Sequence, residues 1–316
     1  VTHMKACSFL PAATRMIFDM QLDHLLYGVT FECPVPIGSS QQKVVRCLLE
    51  GNKYSSIDID KIFSASKASG KSLYYVEEEL LQAIEPDIIF TQDVCEVCQI
   101  DTACTSAAIE KLNKKPLLVP LSPNNLQDVF HSAITIAESL GHEEAAYKYL
   151  NGLNARLANI LDTLRKNRMP LKRVMVLEWM DPIYNCGHWI PFQIAQAGGI
   201  DMLSNPSGDS IVMDWNKILK YDPEVLVIAL CGFNIARSRQ EINILLEKAG
   251  WNSINAIQND QVYLADSDLF TQPSASTLVE GIELLAALFH PGLFTPPTSL
   301  KNKFLHLSKI SAHAFS

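Results

Sequence analysis

Short apolar runs alternate along this chain with segments whose apolar positions recur at helical spacing, which predicts strands alternating with helices. Lys5-Ala6-Cys7-Ser8-Phe9-Leu10 reads as the first strand, and Pro11-Ala12-Ala13-Thr14 opens a helix in which Met16, Ile17 and Met20 share a face. Leu26 to Phe31 is the next strand, ended by Glu32-Cys33-Pro34, and the polar stretch that follows to about residue 72 is expected to be loops with short helices. A helix around 103–113 and the strand 116–120 close the first half. From Asn125 to Arg168 the pattern is helical throughout: Leu126, Val129, Phe130, Ala133, Ile134 and Ala137, then Leu150, Leu153, Leu157, Ile160, Leu161 and Leu164, with a break at Gly141. The second half opens with the strand Arg173 to Leu177, and a helix near 189–197 ends at Gly198-Gly199. A helix over 239–249, the strand 261–265 and a closing helix from Ser274 to Phe289 follow, and residues 291–316 read as a tail with one short helix.

One phrase occurs in both halves. Glu85-Pro86-Asp87-Ile88-Ile89-Phe90-Thr91-Gln92-Asp93-Val94-Cys95 and Asp222-Pro223-Glu224-Val225-Leu226-Val227-Ile228-Ala229-Leu230-Cys231 each run acid, proline, acid, apolar strand, cysteine. Each follows an amphipathic helix, Val76 to Ile84 and Trp215 to Leu219, and proline stops a helix before a buried strand. The fold class is therefore α/β with two similar lobes, at 4–124 and 171–290, joined by a long helical connector at 125–170 and followed by the tail at 291–316. In open α/β sheets ligands bind at the carboxyl ends of the strands, so a ligand cleft between the lobes is expected, with the cysteines at its edge.

Length and composition fit this division. At 316 residues the chain is long for one core, and 48% apolar with 19% charged residues is an ordinary globular balance. The net charge of −8 argues against nucleic acid, and no basic run suits an anionic membrane surface. No apolar stretch approaches the about 18 residues a membrane-spanning helix needs. Val1-Thr2-His3 resembles a cloning remnant that makes Met4 the native start, and no basic segment leads into an apolar signal core. A cytoplasmic location is the favoured expectation, with a periplasmic or extracellular protein trimmed of its signal as the alternative.

Eight cysteines are too sparse for a disulfide scaffold. Cys95-Glu96-Val97-Cys98 is a C-x-x-C pair, and Cys33 and Cys231 are expected at strand ends facing the same cleft. Four such thiolates could hold zinc or an iron–sulfur cluster, which leaves open a cytosolic metal- or cluster-dependent enzyme beside ordinary cleft thiols. Trp179, Tyr184, Trp189 and Phe233 fall in segments that end at the cleft, where rings suit a large flat ligand, although core packing accounts for such residues too. His188 reads as an axial ligand to a metal-centred ligand, as a general base, or as a helix-start histidine bonded to a neighbouring carbonyl, the last being favoured. Glu178, Asp181, Asp266, Asp268 and Gln272 offer polar contacts or simple loop capping. No nucleophile elbow, Walker loop or dinucleotide fingerprint occurs, so no motif demands catalysis.

Cys7-Ser8-Phe9-Leu10-Pro11-Ala12-Ala13-Thr14, Gly28-Val29-Thr30-Phe31-Glu32-Cys33-Pro34 and Glu85-Pro86-Asp87-Ile88-Ile89-Phe90 resemble the substrate-binding proteins of cobalamin and iron–siderophore ABC importers. So do Leu177-Glu178-Trp179-Met180-Asp181-Pro182, Gly187-His188-Trp189 and Leu230-Cys231-Gly232-Phe233, with the cobalamin branch nearest, over about residues 5–290. The resemblance implies a corrinoid between two lobes on one long helix, delivered to an ABC permease, with an iron–siderophore or haem ligand as a weaker alternative. The expected ligand contacts are Phe31, Glu32, Gln92, Trp179, Asp181, Tyr184, His188, Trp189, Phe233 and Asp268, of which Asp268 stands where the resemblance implies a ligand-contacting aspartate. The resemblance also implies a docking glutamate on each lobe: Glu79 stands at the first position, whereas the matching position before Pro223 is Asn216.

Overall fold

A computed structural model describes residues 4–52, 54–69, 72–92 and 108–308. The chain divides into two units, the first comprising residues 1–123 and 127–151 and the second residues 124–126 and 152–316. Each unit is built on one mixed sheet with helices packed against it.

In the first unit the strands are β1 (Ala6–Ser8), β2 (Leu26–Thr30), β3 (Gln42–Cys47), β4 (Tyr74–Val76), β5 (Ile88–Thr91) and β6 (Leu117–Pro120). Their order is β4-β3-β2-β1-β5-β6, parallel except for the β3–β4 pair. The chain leaves the central β1 toward β2 on one side and later returns to its other flank as β5, so the order reverses at β1 and a crevice forms at the strand ends there. Gly28 is required by close packing: a Cβ on it would lie 2.6 Å from the Cys7 sulfur and 3.0 Å from Val44. Cys7, Phe9, Val44, Val45, Leu81 and Ile89 form the adjoining core.

The segment expected to be loops with short helices up to about residue 72 holds one helix, Ser56–Ser69, and a strand that was not expected there, β3. In β3 the buried apolar residues are Val44, Val45 and Cys47, with Lys43 before them and Arg46 between, so the strand pattern is too short to stand out. The helix spreads Ile57, Ile59, Ile62 and Phe63 among serines, and Ile57 is exposed.

The repeated phrase becomes a repeated piece of backbone. The helices Glu78–Ile84 and Trp215–Tyr221 each end on the phrase's first acid in the left-handed region, Glu85 at φ 50° and Asp222 at φ 53°. Each acid donates its N–H back into its helix, to the carbonyls of Leu81 and Ile218. The second acid then ties strand to strand: Lys5 N–H donates to the Asp87 carboxylate at 2.7 Å, and Arg173 N–H donates to the Glu224 carboxylate at 2.9 Å. Asp87 and Glu224 return the bond through their own N–H groups, to the Lys5 and Arg173 carbonyls, each at 2.7 Å.

In the second unit β7 (Lys172–Met180), β13 (Val225–Ile228) and β14 (Val262–Ala265) form the parallel centre. The short strands β8 (Ile183–Asn185) and β12 (Ile211–Val212) extend one side antiparallel, while β10 (Gly199–Ile200) pairs with β7. β9 (Gly187–His188) and β11 (Asn205–Pro206) form a separate two-stranded ladder. The tail is more than a tail with one short helix: a 3-10 turn at Thr298–Leu300 leads into β15 (Phe304–His306), which pairs antiparallel with β14. Prolines at 291, 296 and 297 hid this strand from the sequence pattern.

The helical stretch resolves into Leu126–Ser139 and Glu143–Lys166, separated by Gly141 at φ 76°. The 24-residue second helix gives its first part to the first unit, where Tyr149 donates to Asp19 at 3.1 Å. Its remainder belongs to the second unit, where Arg156 grips Glu283 of the helix Ala275–Phe289 through two bonds of 2.8 and 2.7 Å.

Candidate functional site

At the strand ends of the first unit, Phe31 follows β2 and its ring lies 6.4 Å from that of Tyr74 on β4. With Phe9, Pro11, Thr30, Glu32 and Val45 these rings line a narrow crevice. The Glu32 carboxyl is pushed up to about 7 by the dense protein around it, and the Glu50 charge adds to the rise. Glu32 keeps an exposed flank where water screens such an effect, so its charge state is held less firmly than that of a fully enclosed carboxyl. Gln92 is half-buried just past the end of β5.

The second unit carries a stronger cluster. Trp179, near the end of β7, meets Phe233 edge to face at 5.3 Å, and Tyr184 is its cross-strand partner on β8. The Trp179 Nε1 donor is enclosed and has no partner among the described residues, an expensive state for a buried N–H unless a ligand supplies the acceptor. Arg237 lies 5.0 Å over the Phe233 ring and pairs with Glu241 at 2.5 Å. Asp181 is exposed at the β7–β8 turn.

Beside Trp179, the Glu178 carboxyl accepts from the Ser210 hydroxyl and from Gly187 N–H, and burial pushes it up to about 7. Asp201 is raised to about 6, again by burial, although Leu203 N–H at 2.9 Å and the Asn185 amide at 3.3 Å donate to it. The fully buried Cys186 thiol is raised well above its ordinary value by burial and by the Asp201 charge. Ser210, Asp201 and Cys186 carried no signal in the sequence, because nothing in their spacing announces that short strands will bring Ser210 and Cys186 to Glu178 and Asp201 to Cys186.

His188 has a left-handed backbone at φ 51° and donates its N–H to Gly208 O at 2.6 Å, within the β9–β11 ladder. Its Nε2 stands 3.8 Å from Asp209, and its enclosed Nδ1 has no partner among the described residues. Trp189 is turned inward, donating to Phe270 O at 2.6 Å. Asp268, past the end of β14, pairs with Lys303 at 2.8 Å.

The Cys33 thiol is turned into its own turn: Thr14 Oγ1 lies at 2.9 Å, Thr30 Oγ1 at 3.2 Å and Thr30 N–H at 3.3 Å, and burial raises its pKa. Cys231 is half-buried where β13 ends, its N–H donating to Glu178 O. Cys95 and Cys98 lie outside the described residues. Among the described residues no group of three or more His, Cys, Asp or Glu side chains could hold a metal ion. Glu79 and Asn216 occupy the same second position of their helices, and both are exposed.

Two mixed α/β lobes of this kind are the architecture of class III periplasmic binding proteins. The profile of the periplasmic binding protein family matches residues 50–269, and the chain belongs to that family. It is 23% identical over 300 residues to an uncharacterized ABC transporter substrate-binding lipoprotein, YvrC, of Bacillus subtilis, covering 92% of this chain and 81% of that protein. Its fold matches a periplasmic heme binding protein from Pseudomonas aeruginosa with a TM-score of 0.69, at 15% identity over 93% of this chain and 95% of that one. It also matches the periplasmic vitamin B12 binding protein BtuF of Vibrio cholerae with a TM-score of 0.60, at 16% identity over 91% and 97%.

The protein is thus a substrate-binding component of ABC import, from a family that binds small ligands, interacts with an ABC permease and does not catalyse. This does not favour the cluster-dependent enzyme. The relatives are periplasmic proteins and a lipoprotein, which gives the cytoplasmic expectation no support. No helix among the described residues is long and apolar enough to cross a membrane.

Proposed function

We propose that this protein binds cobalamin or a related corrinoid outside the cytoplasm and delivers it to an ABC permease. The observation that carries the ligand reading is the Trp179–Phe233 pair with its unpartnered indole donor. Rings give a flat macrocycle a wide contact surface, and the amide carbonyls on a corrin rim are acceptors for an indole N–H. The charge nearby supports a neutral ligand. Arg237 is neutralised by Glu241, and Lys303 is shared by Asp266 and Asp268. An anionic ferric siderophore or the propionates of haem call for a cation with charge to spare. Tyr184, Asp181, His188, Trp189 and Asp268 are proposed as further contacts in the second unit, and Phe31, Glu32 and Gln92 as contacts from the strand ends of the first. Glu79 is proposed as the docking residue that meets a permease cation.

Haem is the second reading, favoured by the likeness to a heme binding protein. Calorimetric titration with cyanocobalamin and with haemin separates the two. Cyanocobalamin is expected to bind with one-to-one stoichiometry, and Trp179→Ala to weaken it about tenfold or more. Haemin binding without cyanocobalamin binding would replace the corrinoid reading with the haem reading.

A further inference from the structure

Two carboxylates, Asp266 and Asp268, stand together where β14 ends, and one cation from the tail reaches both. Lys303 Nζ lies 3.0 Å from Asp266 and 2.8 Å from Asp268. The lysine is placed by the β14–β15 ladder, in which Ala265 pairs with Phe304 and Asp266 N–H donates to Lys303 O at 2.9 Å. The two acids are not equivalent. Asp266 is committed to the backbone, its Oδ1 accepting Ile235 N–H at 2.9 Å. Asp268 gives Oδ2 to the lysine, while its Oδ1 is enclosed and has no partner among the described residues. Ser267, between them, donates its N–H to Phe233 O, so this corner is continuous with the aromatic pair.

From this geometry we infer that Lys303 is a positioning residue that fixes the charge and orientation of Asp268 at the ligand edge and so sets the protein's preference for a neutral, amide-bearing ligand. The inference rests on the ligand reading above and deepens it. With the lysine in place, Asp268 is held by one oxygen and presents the other as an acceptor for an N–H donor, such as a rim carboxamide. Without it, two adjacent carboxylates repel, Asp268 loses its only partner among the described residues, and the edge gains a negative charge that no neutral ligand repays.

The test is a double-mutant cycle on the full chain, read by calorimetry with cyanocobalamin and controlled by circular dichroism. Lys303→Met is expected to weaken binding about tenfold, and Lys303→Arg to hold it within about threefold. In an Asp268→Asn background, Lys303→Met is expected to change affinity by less than about twofold, because the lysine acts through that carboxylate. A purely structural role predicts instead that the tenfold loss persists in the Asp268→Asn background, and that result overturns the inference. So does unchanged affinity in Lys303→Met. Should Lys303→Met not fold, Lys303→Gln is read in the same way. If wild type binds haemin and not cyanocobalamin, the corrinoid reading falls and the preference for a neutral, amide-bearing ligand with it, and the same cycle run with haemin then tests only whether Lys303 acts through Asp268. If it binds neither, both fall.

Discussion

Glu178 shows how a residue visible in the sequence acquires its character only in the fold. Its place beside Trp179 was legible, but its enclosure by Ser210, Gly187 and Cys186 depends on short strands with almost no periodic signal. Burial raises the folded carboxyl from about 4.5 to about 7, so the native state holds a proton that the unfolded chain has released. The sign follows from linkage: this stability is full below about pH 4.5 and is lost as pH rises toward 7 and beyond. Asp201, raised to about 6, acts in the same direction over a lower window. Glu178→Gln, which carries no charge at any pH, should therefore exceed wild type in stability by about 1–2 kcal/mol at pH 8, allowing for the residue's partial exposure. At pH 4.5 the two should converge. Urea unfolding at both pH values measures this, and a constant difference between the proteins would show that the Glu178 charge is not the cause.

At the scale of elements, the acid–proline–acid phrase was the most legible feature of the chain, because proline and an apolar run fix where a helix stops and a strand begins. The left-handed acids were not legible, since that position usually selects glycine. Glu85 and Asp222 adopt nearly the same backbone but differ in what their side chains do. Asp222 accepts Asn255 N–H at 2.7 Å and faces Arg173 at 3.8 Å, whereas the Glu85 side chain is exposed. A left-handed residue bearing a Cβ costs about 1 kcal/mol, so Glu85→Gly should raise stability by about 0.5–1 kcal/mol. Asp222→Gly relieves the same strain but loses the bond to Asn255, and should be neutral or destabilising by about 1 kcal/mol. Denaturant midpoints of the two variants give the comparison, and equal effects would mean that the capping bond contributes nothing. The strand missed at 42–47, and the helix at 56–69 that was expected only as an unplaced short one, failed for the opposite reason: brief or diluted apolar patterns that only the neighbouring strands and core complete.

At the scale of the whole molecule, the two-lobe plan was legible because each half repeats the same strand-and-helix grammar around its own core. The tail escaped because its prolines and polar residues read as a chain that has finished folding, while its strand is defined only by pairing with β14. Its role can be isolated, since everything described for it lies in the second unit: Leu300 is 2% exposed, Lys303 holds two acids, and β15 covers the flank of β14. Ending the chain at Pro297 uncovers that flank, removes the acceptor of Asp266 N–H and exposes whatever Leu300 packs against. A loss on the order of 3 kcal/mol follows from one buried leucine and a short ladder. Hydrogen exchange locates it. The amide of Asp266 and those of β14 should exchange faster in the truncated protein, while those of β1 and β5, in the other unit's sheet, keep their protection, because opening costs are set by local pairing and burial. Faster exchange in both sheets alike would instead make the tail a support of the whole chain, and unchanged exchange at Asp266 would remove β15 from the sheet's stability altogether.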